Sequence, residues 1–135
     1  MYIYTGGEPL VRKKDLISLC EKHSDCVFSC FTNATLIDED FADEMLRVGN
    51  FVPAISLEGF EEATDGRRGG DVYQKVTKAM SLLRKKKLIY GISCCYTSAN
   101  YESITDDGLP PEPASLTDFP QIYIIGLDQY FLFFF

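Results

Sequence analysis

Apolar and polar positions alternate with two different periods along the first hundred residues. The opening segment, Met1 to Tyr4, is a short apolar run that reads as a strand, and Gly6-Gly7-Glu8-Pro9 follows it. A helix is expected from about Leu10 to His23, because Leu16, Leu19 and Cys20, helped by Ile17, recur on one face. Cys26 to Thr32 reads as a strand. Asp38 is placed to cap a helix whose apolar stripe is Phe41, Met45 and Val48, with Ala42 and Leu46 beside it. Gly49 is a natural stop for that helix. Phe51 to Leu57 is the next strand. Asp71 is placed to cap a third helix with Val72, Val76, Ala79, Met80 and Leu83 inward. Arg84 to Lys87 close it, where cations suit the helix dipole. Leu88 to Thr97 is a further strand.

Strands separated by helices predict βαβ units and a parallel sheet. Ligands of such folds sit at the carboxyl ends of the strands. The positions there are Gly6 to Glu8, Thr32-Asn33, Ser56 to Gly59 and Thr97 to Asn100, polar or glycine where the strands are apolar. A Gly-Gly pair lets backbone groups approach a ligand with no Cβ between, and Pro9 suits a first helical turn. Taken alone, the same residues also describe an ordinary strand-to-helix turn, and strand ends that meet solvent are polar in any case.

Composition narrows the class. A chain of 135 residues, 46% hydrophobic, is one domain or part of one, with enough apolar residues for a real core. Its net charge of −7 argues against nucleic-acid binding, which needs a basic face. The absence of a secretory signal or a long apolar run argues against a membrane partner and makes the cytoplasm the expected location. An odd count of five cysteines does not suggest a disulfide framework. All 13 Lys and Arg lie at or before Lys87, whereas four of the six prolines fall between 110 and 120. The reading is therefore 1–105 as a folded core and 106–135 as a divergent tail, Pro-rich and then very apolar. Asp107 to Pro120 is expected to be an irregular loop. Ile122 to Phe135 is too short to span a bilayer, and reads either as a strand on an open sheet edge or as a misplaced, association-prone terminus.

Five segments in order resemble the radical S-adenosylmethionine superfamily, in the branch of peptide and metal-cofactor maturases. They are Gly6-Gly7-Glu8-Pro9-Leu10, Phe31 to Ile37, Ile55-Ser56-Leu57-Glu58-Gly59, Asp65 to Gly70, and Thr97 to Asn100. The resemblance covers roughly residues 1–105 and implies an α/β fold, an incomplete (β/α) barrel of the TIM-barrel-like type. It implies S-adenosylmethionine and a [4Fe–4S] cluster as cofactors. The implied reaction is reductive cleavage to a 5′-deoxyadenosyl radical, which abstracts hydrogen from a substrate, plausibly a peptide. By the same resemblance, Gly6, Gly7, Glu8 and Pro9 would hold the cofactor's amino group, with Asn33 lining the same mouth. Ser56 and Glu58, two apart and hence on one strand face, would contact the ribose and methionyl part. Arg68, in the following loop and a better fit than Arg67, would pair its guanidinium fork with the methionyl carboxylate. Thr97 and Asn100 would flank the adenosine.

The resemblance also places a C-x3-C-x2-C loop before the Gly-Gly-Glu-Pro strand, and these 135 residues contain no such motif. Cys20, Cys26 and Cys30 are spaced C-x5-C-x3-C and follow that strand; core filling is the better reading for them and for Cys94 and Cys95. His23 reads as the end of a helix. The expected chain is thus an N-terminally truncated enzyme fragment, inactive as it stands, with no catalytic or metal-ligating residue of its own. A non-catalytic nucleoside-binding module, or a functionless truncated product that self-associates through exposed sheet edges, is the alternative.

Overall fold

The structure, a computed structural model, describes residues 1–58, 61–96, 122–127 and 130–134, without the side chains of 63, 67, 68, 94–96 and the last two segments. Strand β1 (Tyr2–Tyr4) leads through a single 3-10 turn (Pro9–Arg12) into α1 (Lys13–Lys22), then β2 (Phe28–Thr32), α2 (Glu39–Val48) and β3 (Phe51–Ser56). Two helices follow, α3 (Glu61–Arg68) and α4 (Val72–Lys85), and then β4 (Gly91–Tyr96), β5 (Ile122–Leu127) and β6 (Tyr130–Phe134).

The six strands form one sheet in chain order. Neighbours from β1 to β5 pair parallel, and β6 returns antiparallel to β5. Strand order that never reverses sends every parallel crossover the same way, so the helices collect on one face. That separates a (β/α)-barrel arrangement from a doubly wound sheet, whose order reverses at a switch point. The fold is α/β, a partial (β/α) barrel.

The core lies between that face and the helices. Phe28, Cys30, Phe51, Ile55 and Ile92 project from the strands against Leu16, Ile17 and Cys20 of α1, Phe41, Ala42 and Met45 of α2, and Val76, Ala79 and Leu83 of α4. Tyr2 and Tyr4 stack on Phe28 with ring centroids 5.6 and 6.2 Å apart, which ties the short edge strand to this side. Period-two alternation leaves Ile3, Ser29, Phe31, Val52, Ala54 and Ser56 on the opposite face.

Local chemistry sets most boundaries. Asp38 accepts from the Phe41 N–H at 2.9 Å and caps α2, and the Lys13 ammonium, 2.6 Å away, holds its carboxyl below the usual range. Gly49 ends α2 at φ 71°, with its N–H on the Met45 carbonyl at 3.0 Å. Other boundaries differ from the sequence reading. The first helix begins as a 3-10 turn over Pro9–Arg12, with the Val11 N–H on the Glu8 carbonyl three residues back at 3.2 Å and the Glu8 side chain capping the Leu10 N–H. The second strand starts at Phe28, so Cys26 precedes it and does not share a strand face with Cys30. The fourth starts at Gly91, after a turn that holds Lys87 at φ 57°.

The segment read as a loop with Arg67 and Arg68 is instead helix α3, of which Arg68 is the last residue. Asp71 does not cap α4: it sits at φ 64° and its side chain makes no cap bond. Asp65 does so from α3, its Oδ1 accepting from Tyr73 N at 2.8 Å and its Oδ2 from Asp71 N at 3.1 Å. Of the two readings of the tail, strands on the sheet edge are what the structure shows for β5 and β6. The loop expected at 107–120 lies outside the described residues. Among the described residues no helix is long and apolar enough to cross a membrane.

Candidate functional site at the strand ends

Glu8 organises the carboxyl end of the sheet. Its Oε1 accepts from the Leu10 N–H at 3.0 Å and from the Thr32 hydroxyl at 2.7 Å, and its Oε2 accepts from the Asn33 N–H at 2.9 Å. One carboxylate thus joins the turn after β1 to the end of β2. Charge-assisted bonds of this kind are the stronger class. A carboxylate offers about four acceptor positions, and the three donors leave one on Oε2 for a further donor.

The tether fixes the turn in front of it. Gly6 and Gly7 hold φ of 90° and 55°, which L side chains disfavour, and a Cβ built on either meets nothing within 4 Å. Their backbone therefore faces open space, as a group that must approach a ligand closely would. Behind them, Thr32 passes the bonding on: its Oγ1 accepts from the Ala34 N–H at 3.0 Å. Ala34 sits at φ 58°, a left-handed conformation costing an alanine on the order of 1–2 kcal/mol. Residues in such conformations collect at functional sites when their surroundings over-determine them. Asn33 uses its side chain locally, its Oδ1 accepting from the Thr35 N–H at 3.0 Å and the Thr35 hydroxyl at 2.7 Å.

At β3 the strand ends with Ser56, half-buried on the face away from the helices. Glu58 lies beyond the strand, so the two-residue alternation expected to put both on one face does not reach it. Glu58 is fully buried at 0% exposure beside Thr64, also 0%, whose hydroxyl accepts from the Glu58 N–H at 3.3 Å. The structure therefore joins Glu8 and Asn33 in one hydrogen-bonded unit with Leu10 and Thr32, and Gly6, Gly7 and Pro9 flank Glu8 in the chain. Ser56 stands at the next strand end, and Glu58 is anchored to α3. Arg68 closes α3 and its side chain is outside the described set; Thr97, Asn100 and Gly59 lie outside the described residues. Thr32 was legible only as a polar strand end. Nothing in the sequence couples it to Glu8, 24 positions earlier.

Cys20 and Cys30 are poor metal ligands. Burial, reinforced by the charge on Glu8, pushes the Cys30 thiol up to about 12, and burial also raises Cys20. Metals and clusters bind the thiolate. Among the described residues no group of three or more His, Cys, Asp or Glu is placed to hold a metal. A separate groove of about 420 Å³ runs between α1 and α2, floored by Ile17 and Phe41 and rimmed by ion pairs. It belongs to the helix layer and not to the strand ends.

The one-sided helix layer and the strand order are those of a TIM-barrel-like α/β family. The family profile of the Radical SAM superfamily matches residues 2–108, and the chain belongs to that superfamily. It is 32% identical over 109 residues to a cysteine-type anaerobic sulfatase-maturating enzyme of Clostridium perfringens (strain 13 / Type A), covering 72% of this chain and 29% of that enzyme. It is 41% identical over 71 residues to an Fe-coproporphyrin III synthase of Methanosarcina barkeri, covering 50% of this chain and 17% of that protein. Among solved structures, native anSMEcpe with bound AdoMet and the Kp18Cys peptide aligns with a TM-score of 0.60 at 29% identity, over 76% of this chain and 33% of that one. Native anSMEcpe with bound AdoMet aligns at 0.62 and 26% identity, with the same coverage. The chain spans about a third or less of the length of these proteins.

Proposed function

We propose that this chain carries the S-adenosylmethionine-binding part of a radical S-adenosylmethionine enzyme and does not by itself supply the iron–sulfur cluster. The observation that carries the reading is the open Gly6-Gly7 turn, clamped by Glu8 to the end of β2. Its carbonyls and the remaining acceptor position of Glu8 suit the three N–H donors of an ammonium group. Ser56 would meet the ribose, Arg68 the methionyl carboxylate, and Thr97 the adenosine side. Glu58, fully buried behind the strand end, would act through the backbone around Ser56. Once bound in an enzyme of this class, S-adenosylmethionine is the source of a hydrogen-abstracting radical. The residues present do not fit the cluster: Cys20 and Cys30 are core groups with raised thiol pKa values, and no C-x3-C-x2-C occurs in the sequence. The peptide bound in the aligned structure makes a peptide the proposed substrate class of the whole protein.

Calorimetry under iron-free conditions tests the reading. Saturable S-adenosylmethionine binding, weakened by Arg68→Ala, is the expected result, and no heat of binding removes it. Anaerobic reconstitution with iron and sulfide is expected to leave less than stoichiometric iron; a bound four-iron cluster on this chain would overturn the cluster part. The core placement of Cys20 and Cys30 leaves room for a second reading, a non-catalytic nucleoside-binding module. A chain that binds S-adenosylmethionine yet yields no radical product when a cluster-bearing partner or segment is supplied would establish it.

A further inference from the structure

We propose that Ser93, a residue none of the sequence motifs includes, completes a two-serine clamp with Ser56 for a vicinal diol, the 2′,3′-hydroxyls of a nucleoside. The inference rests on the reading above and deepens it.

The register carries it. Ser56 is the last residue of β3 and pairs in parallel with Ser93 on β4. Residues so paired project to the same face. That face is the one opposite the helices, because the pair one step back, Ile55 and Ile92, is buried in the helix-side core. β4 runs three residues beyond Ser93, to Tyr96. Ser93 is thus mid-strand in its own element, yet level with the end of β3. Both serines are half-buried, and neither hydroxyl has a hydrogen-bond partner among the described residues.

A structural account of the pair is weak. Serine is not a favoured strand residue, and the positions next to the pair on this face, Phe31, Ala54 and Gly91, are apolar or glycine; the face's further serine, Ser29, stands on β2 opposite Val52. A hydroxyl there adds nothing to packing. Two half-exposed hydroxyls with no protein partner among the described residues, one strand spacing apart at about 4.8 Å, bracket the oxygens of a vicinal diol. Each serine both donates and accepts, as does each ribose hydroxyl. The pair lies one strand over from the Thr32–Glu8 unit, so a ligand anchored at Gly6-Gly7 would extend along the strand ends toward it.

The test is calorimetry on the whole chain with S-adenosylmethionine and its 2′-deoxy and 3′-deoxy analogues. Ser93→Ala is expected to weaken S-adenosylmethionine binding by about two- to ten-fold, the range of one neutral hydrogen bond. Ser93→Thr, which keeps the hydroxyl, is expected to restore most of it. The effect of Ser93→Ala should vanish for the analogue that lacks the hydroxyl it meets. Circular dichroism of the variant should match wild type. Wild-type affinity in Ser93→Ala, with Ser56→Ala weakened, overturns the clamp while leaving the cofactor reading intact. A loss equal for all three ligands also overturns it, since that is a structural effect. No binding by the wild-type chain overturns both.

Discussion

At the scale of single residues, Glu8 matters more for what it holds than for what it would touch. Its three donors come from a 3-10 turn, a strand end and the residue after that strand, and no other described side chain joins these parts. Glu8→Gln replaces one accepting oxygen with an NH2 group. In either amide orientation a donor then faces a backbone donor, Asn33 N–H or Leu10 N–H. The variant is expected to lose about 1–3 kcal/mol of stability, the cost of a partly buried group left unsatisfied, read from urea midpoints. A midpoint unchanged from wild type would show that the tether is dispensable. Gly-Gly-Glu-Pro was legible as an open turn because glycine's permissive φ is written in the residue type. That Glu8 faces Thr32 was not, since no local signal links positions 24 apart.

At the scale of elements, α3 and the start of α4 show how a cap is misread. Asp71 stands one position before a strong apolar period, where a capping residue belongs, but its left-handed backbone turns the side chain away from the helix. Asp65 replaces it because α3 packs beside α4 and delivers a carboxylate to the Tyr73 N–H. The two aspartates should therefore respond oppositely. Asp65→Ala is expected to cost about 1 kcal/mol, as loss of a helix cap does. Asp71→Gly relieves the positive φ and is expected to be neutral or stabilising by up to about 1 kcal/mol. Chemical denaturation of both variants measures this; Asp71→Gly proving the more damaging would reverse the assignment. α2 was read correctly for the converse reason, since Asp38, its apolar stripe and Gly49 are all local signals. α3 itself has a weak one: an acidic start, Glu61-Glu62, and little apolar surface.

Over the whole molecule, Asn50 joins what the sheet leaves apart. It precedes β3, and its amide nitrogen donates toward the carbonyls of Cys20, His23 and Cys26 at 3.1, 3.2 and 2.9 Å. These are the last turn of α1 and the connection into β2; the His23 carbonyl also accepts from the Cys26 N–H at 3.0 Å. Asn50→Asp keeps the shape and removes every donor, so it is expected to destabilise the fold by about 2–3 kcal/mol or more, and more than Asn50→Ala. Equal midpoints for the two variants would show that the carbonyls are solvated instead. The sequence by itself determined the α/β class, the order of the βα units, the apolar faces and the turn residues at the strand ends. Each of those follows from periodicity or from a residue's own backbone preference. Only the tertiary structure decided which strand ends meet, that Glu8 closes on Thr32 and Asn33, that Ser93 stands level with Ser56, and that Asp65 caps its neighbour. These are contacts between segments far apart in the chain, set by strand register and helix packing, and neither is encoded in any local stretch of residues.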